Sequence, residues 1–293
     1  TIATDTGKLA LDSTSITSAG ALTLTGATGI DFGAGVAFTA GGDLSMSTTS
    51  GDISATNAFT LTSTGNISLT ENLTTAGATI ITADSDGSGV GDFSIDASTT
   101  LSTGNNSLTL TANDVTVSGS ISSGTGSTTI AVSDGGTIGL GGTSGNMTIT
   151  GTELGNITAG TLNIGNSSTG NITVDGISAA NSNNATTVNL TTASASSVSF
   201  SNNDSTFNAL TANGGSSTSF GSGLTIATDT GKLDLNSTSI TSAGALTLTG
   251  ATGIDFGAGV TFTVGGDLAM STTSGDISGT GAFTLTSTGD ISL

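Results

Sequence analysis

The sequence predicts an all-β fold, a parallel β-solenoid of about 22 residues per coil with about 13 coils in this chain. Three observations carry that prediction. The chain repeats itself at long range, its apolar residues alternate with small polar ones at a spacing of two, and its composition cannot fill a thick core. Residues 1–69 recur as 225–293 with eight differences and no gap. Residues 1–224 therefore read as one complete solenoid repeat unit of about ten coils, and 225–293 as the start of the next unit in one continuous rod cut from a longer array.

A shorter beat runs inside the long repeat. Apolar pairs split by one small or polar residue occur at Leu22/Leu24, Leu44/Met46, Ile67/Leu69, Phe93/Ile95 and Val115/Val117. The series continues at Ile138/Leu140, Leu162/Ile164 and Val188/Leu190, then a looser pair at Phe207/Leu210, and then Leu224/Ile226 and Leu246/Leu248. Alternation of this kind puts Leu and Ile inside and Thr or Ser outside a strand. Helix is disfavoured by the spacing and by the wealth of Gly, Thr, Ser and Asn. Gly, Asn, Asp and Ser between the runs supply corners. The segment 84–91 (DSDGSGVG) lengthens its step to about 26 residues and is expected to bulge from a corner as a loop.

The eight differences show what each position tolerates. Asp12 becomes Asn236, Asn66 becomes Asp290 and Asn57 becomes Gly281, all residues suited to turns. The others are Ala10 to Asp234, Ala37 to Thr261, Ala40 to Val264, Ser45 to Ala269 and Ala55 to Gly279. None replaces a large apolar residue.

Composition excludes most chemistry. Ser, Thr and Gly make up 151 of the 293 residues, and Leu, Ile, Val and Phe only 65, which suits a core one coil thick. There is no His and no Cys, so the common serine and cysteine triads, an imidazole base and a zinc site on imidazole or thiolate are ruled out. A net charge of −19 with only Lys8 and Lys232 as cations repels a phosphate backbone, so nucleic acid is not an expected partner. No stretch approaches the roughly 18 apolar residues of a membrane helix, and the short strands lack the aromatic girdles of an outer-membrane barrel. No membrane insertion is expected.

Candidate sites are few. Asp84, Asp86 and Asp92 with Gly87 between them resemble the start of a calcium loop, since hard carboxylate oxygens at short spacing suit Ca²⁺. They also read as a solvated Asp/Gly turn, and no other cofactor is expected. Glu71 and Glu153, the only glutamates, lie in different coils without the Arg, His, Tyr or Trp that a glycosidase would recruit, so no enzyme is predicted. Thr23/Thr25 and Thr247/Thr249 resemble the flat Thr arrays by which ice-binding solenoids order water. The positions that follow in series, Ser45/Ser47, Ser68/Thr70, Ser94/Asp96, Thr116/Ser118 and Gly139/Gly141, break that array. Asn-x-Ser/Thr sequences at Asn66, Asn72, Asn156, Asn171 and Asn189 are expected by composition alone.

The run 155–174 (GNITAGTLNIGNSSTGNITV), with 42–47 (GDLSMS) and 91–95 (GDFSI), resembles the repeat region of filamentous haemagglutinin-like bacterial surface exoproteins of two-partner secretion. That resemblance implies a right-handed β-helix, export to the extracellular cell surface, and a role as a structural filament or adhesin in attachment or cell-to-cell contact. The expected partners are the protein itself, by end-to-end stacking of units or chains, and other cells or surfaces. A Thr-rich ice-binding or Ca²⁺-dependent adhesive solenoid module is the alternative reading.

Overall fold

A computed structural model describes residues 1–293 except residue 34. The chain is an all-β parallel β-solenoid of about 13 turns with about 22 residues per turn. It packs as two compact units, Thr1–Asp134 with Asn156–Gly160, and Gly135–Gly155 with Thr161–Leu293. The division between them falls within 134–161.

In the first unit each coil contributes one strand to each of three parallel ladders. The first ladder joins Ile2–Ala3, Leu22–Gly26, Leu44–Thr48, Ile67–Leu69, Phe93–Ile95 and Val115–Val117. Its register Leu22↔Leu44↔Ile67↔Phe93↔Val115 confirms the first five apolar pairs, and the 26-residue step holds the expected loop at 84–91. The second ladder runs from Leu9–Leu11 through Ile30–Phe32, Ile53–Ala55, Leu73–Thr75 and Thr100–Ser102 to Ser120–Ser122. The third joins Ser15–Ser18, Val36–Ala40, Phe59–Ser63, Thr79–Thr82, Leu108–Ala112 and Ser127–Val132.

The second unit starts irregularly. Ile138–Gly141 pairs with Met147–Ile149 on one side and Ile172–Asp175 on the other. Two short helices, Gly151–Gly155 and Ala179–Ser182, pack on each other, and the latter packs on Ser205–Phe207. Three regular ladders follow. One joins Ile172–Asp175, Ser197–Phe200, Ser217–Phe220, Ser239–Ser242, Val260–Val264 and Phe283–Ser287. Another joins Ser205–Phe207, Leu224–Thr228, Leu246–Gly250, Leu268–Thr272 and Ile291–Ser292. The last joins Ala185–Thr191, Leu210–Asn213, Leu233–Leu235, Ile254–Phe256 and Ile277–Gly279.

These pairings correct the single series of apolar pairs. Ile138/Leu140 faces Met147/Ile149 and Ile172/Val174, Val188/Leu190 faces Leu210/Ala212, and Phe207 faces Thr228. The physical reason is that an extra strand and two helices between 147 and 182 shift which apolar pair meets which ladder, while each pair alone looks the same.

The core is a stack of inward rungs. Leu24, Ile30, Phe38, Leu61, Ile67 and Ile95 are almost fully buried in the first unit, each contributing about 1.5–3 kcal/mol of apolar transfer. Phe32 packs 4.9 Å edge-on from Phe38 and 4.8 Å stacked on Phe59, and Phe200 stacks on Phe220 at 5.2 Å. Not every Thr and Ser faces out. Thr75 bonds Thr79 at 2.6 Å, Thr128 donates to Ser123 at 2.9 Å, and Thr218 bonds Ser237 at 2.7 Å, each pair buried at a corner. A hydroxyl that finds a partner avoids the penalty of desolvation, so it can turn inward where the chain bends.

Candidate functional site

The acidic loop folds around Asp84. Asp84 is buried and its backbone sits at φ 52°, in the left-handed region. Its Oδ1 accepts the Ser88 N–H at 2.8 Å and the Ser88 hydroxyl at 2.9 Å. Its Oδ2 accepts the Gly89 N–H at 3.0 Å and the Ser133 hydroxyl at 2.5 Å. Burial pushes this carboxyl up, but the bonds from Ser133, Ser88 and the two amides outweigh it and hold the pKa below the ordinary carboxylate value. Gly91 closes the loop so tightly that a Cβ there would lie 2.2 Å from the Asp84 nitrogen.

Asp86 and Asp92 are not drawn to that carboxylate. Asp86 Oδ1 lies 3.4 Å from the Ser88 N–H, and Asp92 Oδ1 accepts Asn113 Nδ2 at 2.9 Å and the Asp114 N–H at 3.1 Å. Among the described residues no group of three or more His, Cys, Asp or Glu side chains converges. Asp84 thus acts as a latch, both oxygens holding its own loop and Oδ2 tying that loop to Ser133. Nothing in the sequence marked Ser133, which lies 49 residues away.

Asp92 belongs instead to a corner column. Asp43 Oδ1 accepts the Asn66 N–H at 2.9 Å, Asn66 Oδ1 accepts the Asp92 N–H at 2.9 Å, and Asp92 Oδ1 accepts that of Asp114. In the second copy Asp267 Oδ1 accepts the Asp290 N–H at 2.9 Å. A second column joins Asp52, Asn72 and the Thr100 N–H. Only an acceptor oxygen is needed, and Asp and Asn both supply it, which accounts for Asn66 standing where the second copy has Asp290.

The Asn-x-Ser/Thr asparagines serve the same scaffold. Beside Asn66 and Asn72, Asn156 Nδ2 donates to the Val117 carbonyl, Asn171 Oδ1 accepts the Ser197 N–H, and Asn189 Nδ2 donates to Asn163 Oδ1 at 3.0 Å. Glu153 caps its own helix, its Oε2 accepting the Thr150 N–H at 2.9 Å and hydroxyl at 2.8 Å. The signal for that helix was present as Thr150-x-x-Glu153.

The two lysines bridge coils. Lys8 Nζ contacts Asp31 at 2.9 Å, and Lys232 Nζ contacts Asp255. Hydrogen bonds from the lysine and from a Ser on the next coil hold Asp31 and Asp255 below the ordinary value. The copies differ at the neighbouring rung. Ala10 lies opposite Asp31, whereas Asp234 lies opposite Asp255 and holds a buried Oδ1 with no hydrogen-bond partner. Burial, then the Asp255 charge, push the Asp234 carboxyl up.

An apolar hollow of about 470 Å³ lined by Phe256, Met270, Phe283, Leu285 and Leu293 is the core as seen beyond the last coil of the second unit. Among the described residues no helix is long and apolar enough to cross a membrane. No protein-family model, curated protein or solved structure matches the chain.

Proposed function

We propose that this chain is a structural segment of a long extracellular bacterial β-solenoid fibre or filamentous adhesin that mediates surface attachment or cell-to-cell contact. The observation that carries the reading is the identical register of the two copies. Leu22↔Leu44 and Leu24↔Met46 in the first recur as Leu246↔Leu268 and Leu248↔Met270 in the second. A unit whose copies pair in the same way can be added repeatedly without new contacts being invented, which is how repeat proteins gain length. Backbone bonds from coil to coil, the Asp/Asn corner columns and the cross-coil hydroxyl pairs all act between neighbours. The open strands Ile277–Gly279, Phe283–Ser287 and Ile291–Ser292 are the surface on which further coils or another chain would stack. The bacterial and extracellular setting rests on the resemblance of 155–174, 42–47 and 91–95 to filamentous haemagglutinin-like repeats.

Immunogold electron microscopy of source cells with antibody to the 224-residue unit tests this. Regular labelling along thin extracellular filaments is the expected result, and label confined to the cytoplasm would overturn it.

A further inference from the structure

The hydroxyl array that the first apolar series breaks is complete on a different ladder. Ser197–Phe200, Ser217–Phe220, Ser239–Ser242, Val260–Val264 and Phe283–Ser287 pair without slippage. Their outward positions form two columns. Ser197, Ser217, Ser239, Thr261 and Thr284 make one, and Ser199, Ser219, Thr241, Thr263 and Thr286 the other. Every position on five successive coils carries a hydroxyl. Buried Val198, Phe220, Ile240 and Phe262 on the inner side hold the strands in place.

The columns form a two-dimensional grid. Neighbouring strands stand about 4.8 Å apart, and alternate residues along a strand about 6.6 Å apart. Ser199 and Ser219 bond each other at 2.9 Å, while Thr241, Thr261, Thr263, Thr284 and Thr286 are exposed. Ala37 interrupts the equivalent place in the first copy, facing Ser15 and Thr60, and its replacement by Thr261 completes the grid in the second.

We propose that this face binds an ordered water lattice, that is, the surface of ice. Charge selects the occupant. The chain carries −19, yet none of these five strands holds a charged residue, so the face is complementary to a neutral lattice of donors and acceptors. Ser197 donates its hydroxyl to Asn171 Oδ1 at 3.3 Å and Ser199 and Ser219 bond each other, whereas the hydroxyls of the five exposed threonines can both donate and accept and so fit either polarity of lattice site. The Thr methyl groups favour ordered first-shell water between those anchors. Glycan sheets are a poorer fit, because no Trp or Tyr is present to stack on sugar rings. A second copy laid side by side brings two strongly acidic chains together. The inference stands apart from the fibre reading, since it requires only the grid.

The full chain is tested for thermal hysteresis and for uptake into slowly growing ice, beside Thr263→Tyr on the fourth of the grid's five coils and Thr249→Tyr on the adjoining ladder. The expected result is that the parent and Thr249→Tyr enter ice and Thr263→Tyr does not, with native circular dichroism in all three. Thr261→Ala, which installs the first copy's residue, is expected to reduce hysteresis without changing the melting temperature. Exclusion of the folded parent from ice would overturn the proposal, as would equal loss in both Tyr variants. Self-association that Thr263→Tyr abolishes, with no ice uptake by the parent, would assign the face to contacts between copies instead and likewise overturn it.

Discussion

Asp43 Oδ1 accepts the backbone N–H of Asn66 from the neighbouring coil at 2.9 Å, and Asp267 and Asp290 repeat the contact at the same distance in the second copy. One side chain thus satisfies an amide that the sheet ladder leaves free at a bend. Asp43→Ala removes that acceptor and is expected to cost about 0.5–1.5 kcal/mol, the net worth of an ordinary hydrogen bond. Asp43→Asn keeps an acceptor and should cost much less. Urea unfolding of both variants checks this, and equal losses would mean that the carboxylate charge, not the acceptor, matters.

The contrast between this column and the core shows what was legible beforehand. Inward Leu22, Leu24, Leu44 and Met46 could be placed from alternation alone, because a period of two has only one buried face. The Asp43–Asn66 contact could not, since Asp followed by an apolar residue reads equally as turn, ligand or cap. Helix Gly151–Gly155 and strand Met147–Ile149 were obscured by their brevity, and with them the shift of later pairs between ladders. Asp84, Asp86 and Asp92 are close in sequence but answer to different partners, because Asp84 turns inward to Ser133 and Asp92 joins the corner column. The hydroxyl grid on 197–287 was hidden for a related reason. Sequence order alone does not tell which Ser-x-Ser or Thr-x-Thr lies above which.

The Asp84 latch makes an acid-sensitive contribution. Its folded pKa lies below the ordinary value, so the stability it adds is present above the unfolded pKa and is lost as pH falls through the folded one. Ser133→Ala removes one donor to a charged acceptor and is expected to lower stability by about 1.5–3 kcal/mol at neutral pH. That difference should shrink on acidification into the range where Asp84 protonates. Denaturant melts at neutral and acid pH read it out, and a difference that does not change with pH would separate Ser133 from the Asp84 charge.

Calcium provides an independent check on the same loop. Both oxygens of Asp84 already accept two bonds each, so added Ca²⁺ or chelator is expected to leave the melting temperature unchanged. A rise with Ca²⁺ that Asp84→Asn abolishes would show that the loop opens to take metal.

In the core, Phe59 lies 4.8 Å from Phe32 and 6.1 Å from Phe38, in a rung one coil thick. Phe59→Ala leaves a void that coils above and below cannot fill without breaking register with Val36 and Thr79. The expected loss is about 3–5 kcal/mol, whereas Phe59→Leu should cost considerably less. Calorimetry or urea unfolding measures both, and a small loss for the Ala variant would mean that the coils collapse around the gap.

Asp234 reverses the pH sense of the Asp84 latch. Thr211 and Asp255 face it from the two neighbouring strands, and Lys232 lies two residues away but is held by Asp255. Burial and the Asp255 charge both disfavour its carboxylate, so its folded pKa lies above the unfolded value. The sign follows directly. Protonated Asp234 favours the fold, an advantage fully present below the unfolded pKa and lost as pH rises through the folded one. At neutral pH the rung is therefore a weak point that the first copy, with Ala10 in that place, does not share. Asp234→Ala is expected to raise stability at neutral pH and to show little or no gain in acid. Unfolding midpoints of parent and variant across that range test it. A gain that is the same at every pH would trace the effect to side-chain size and not to charge.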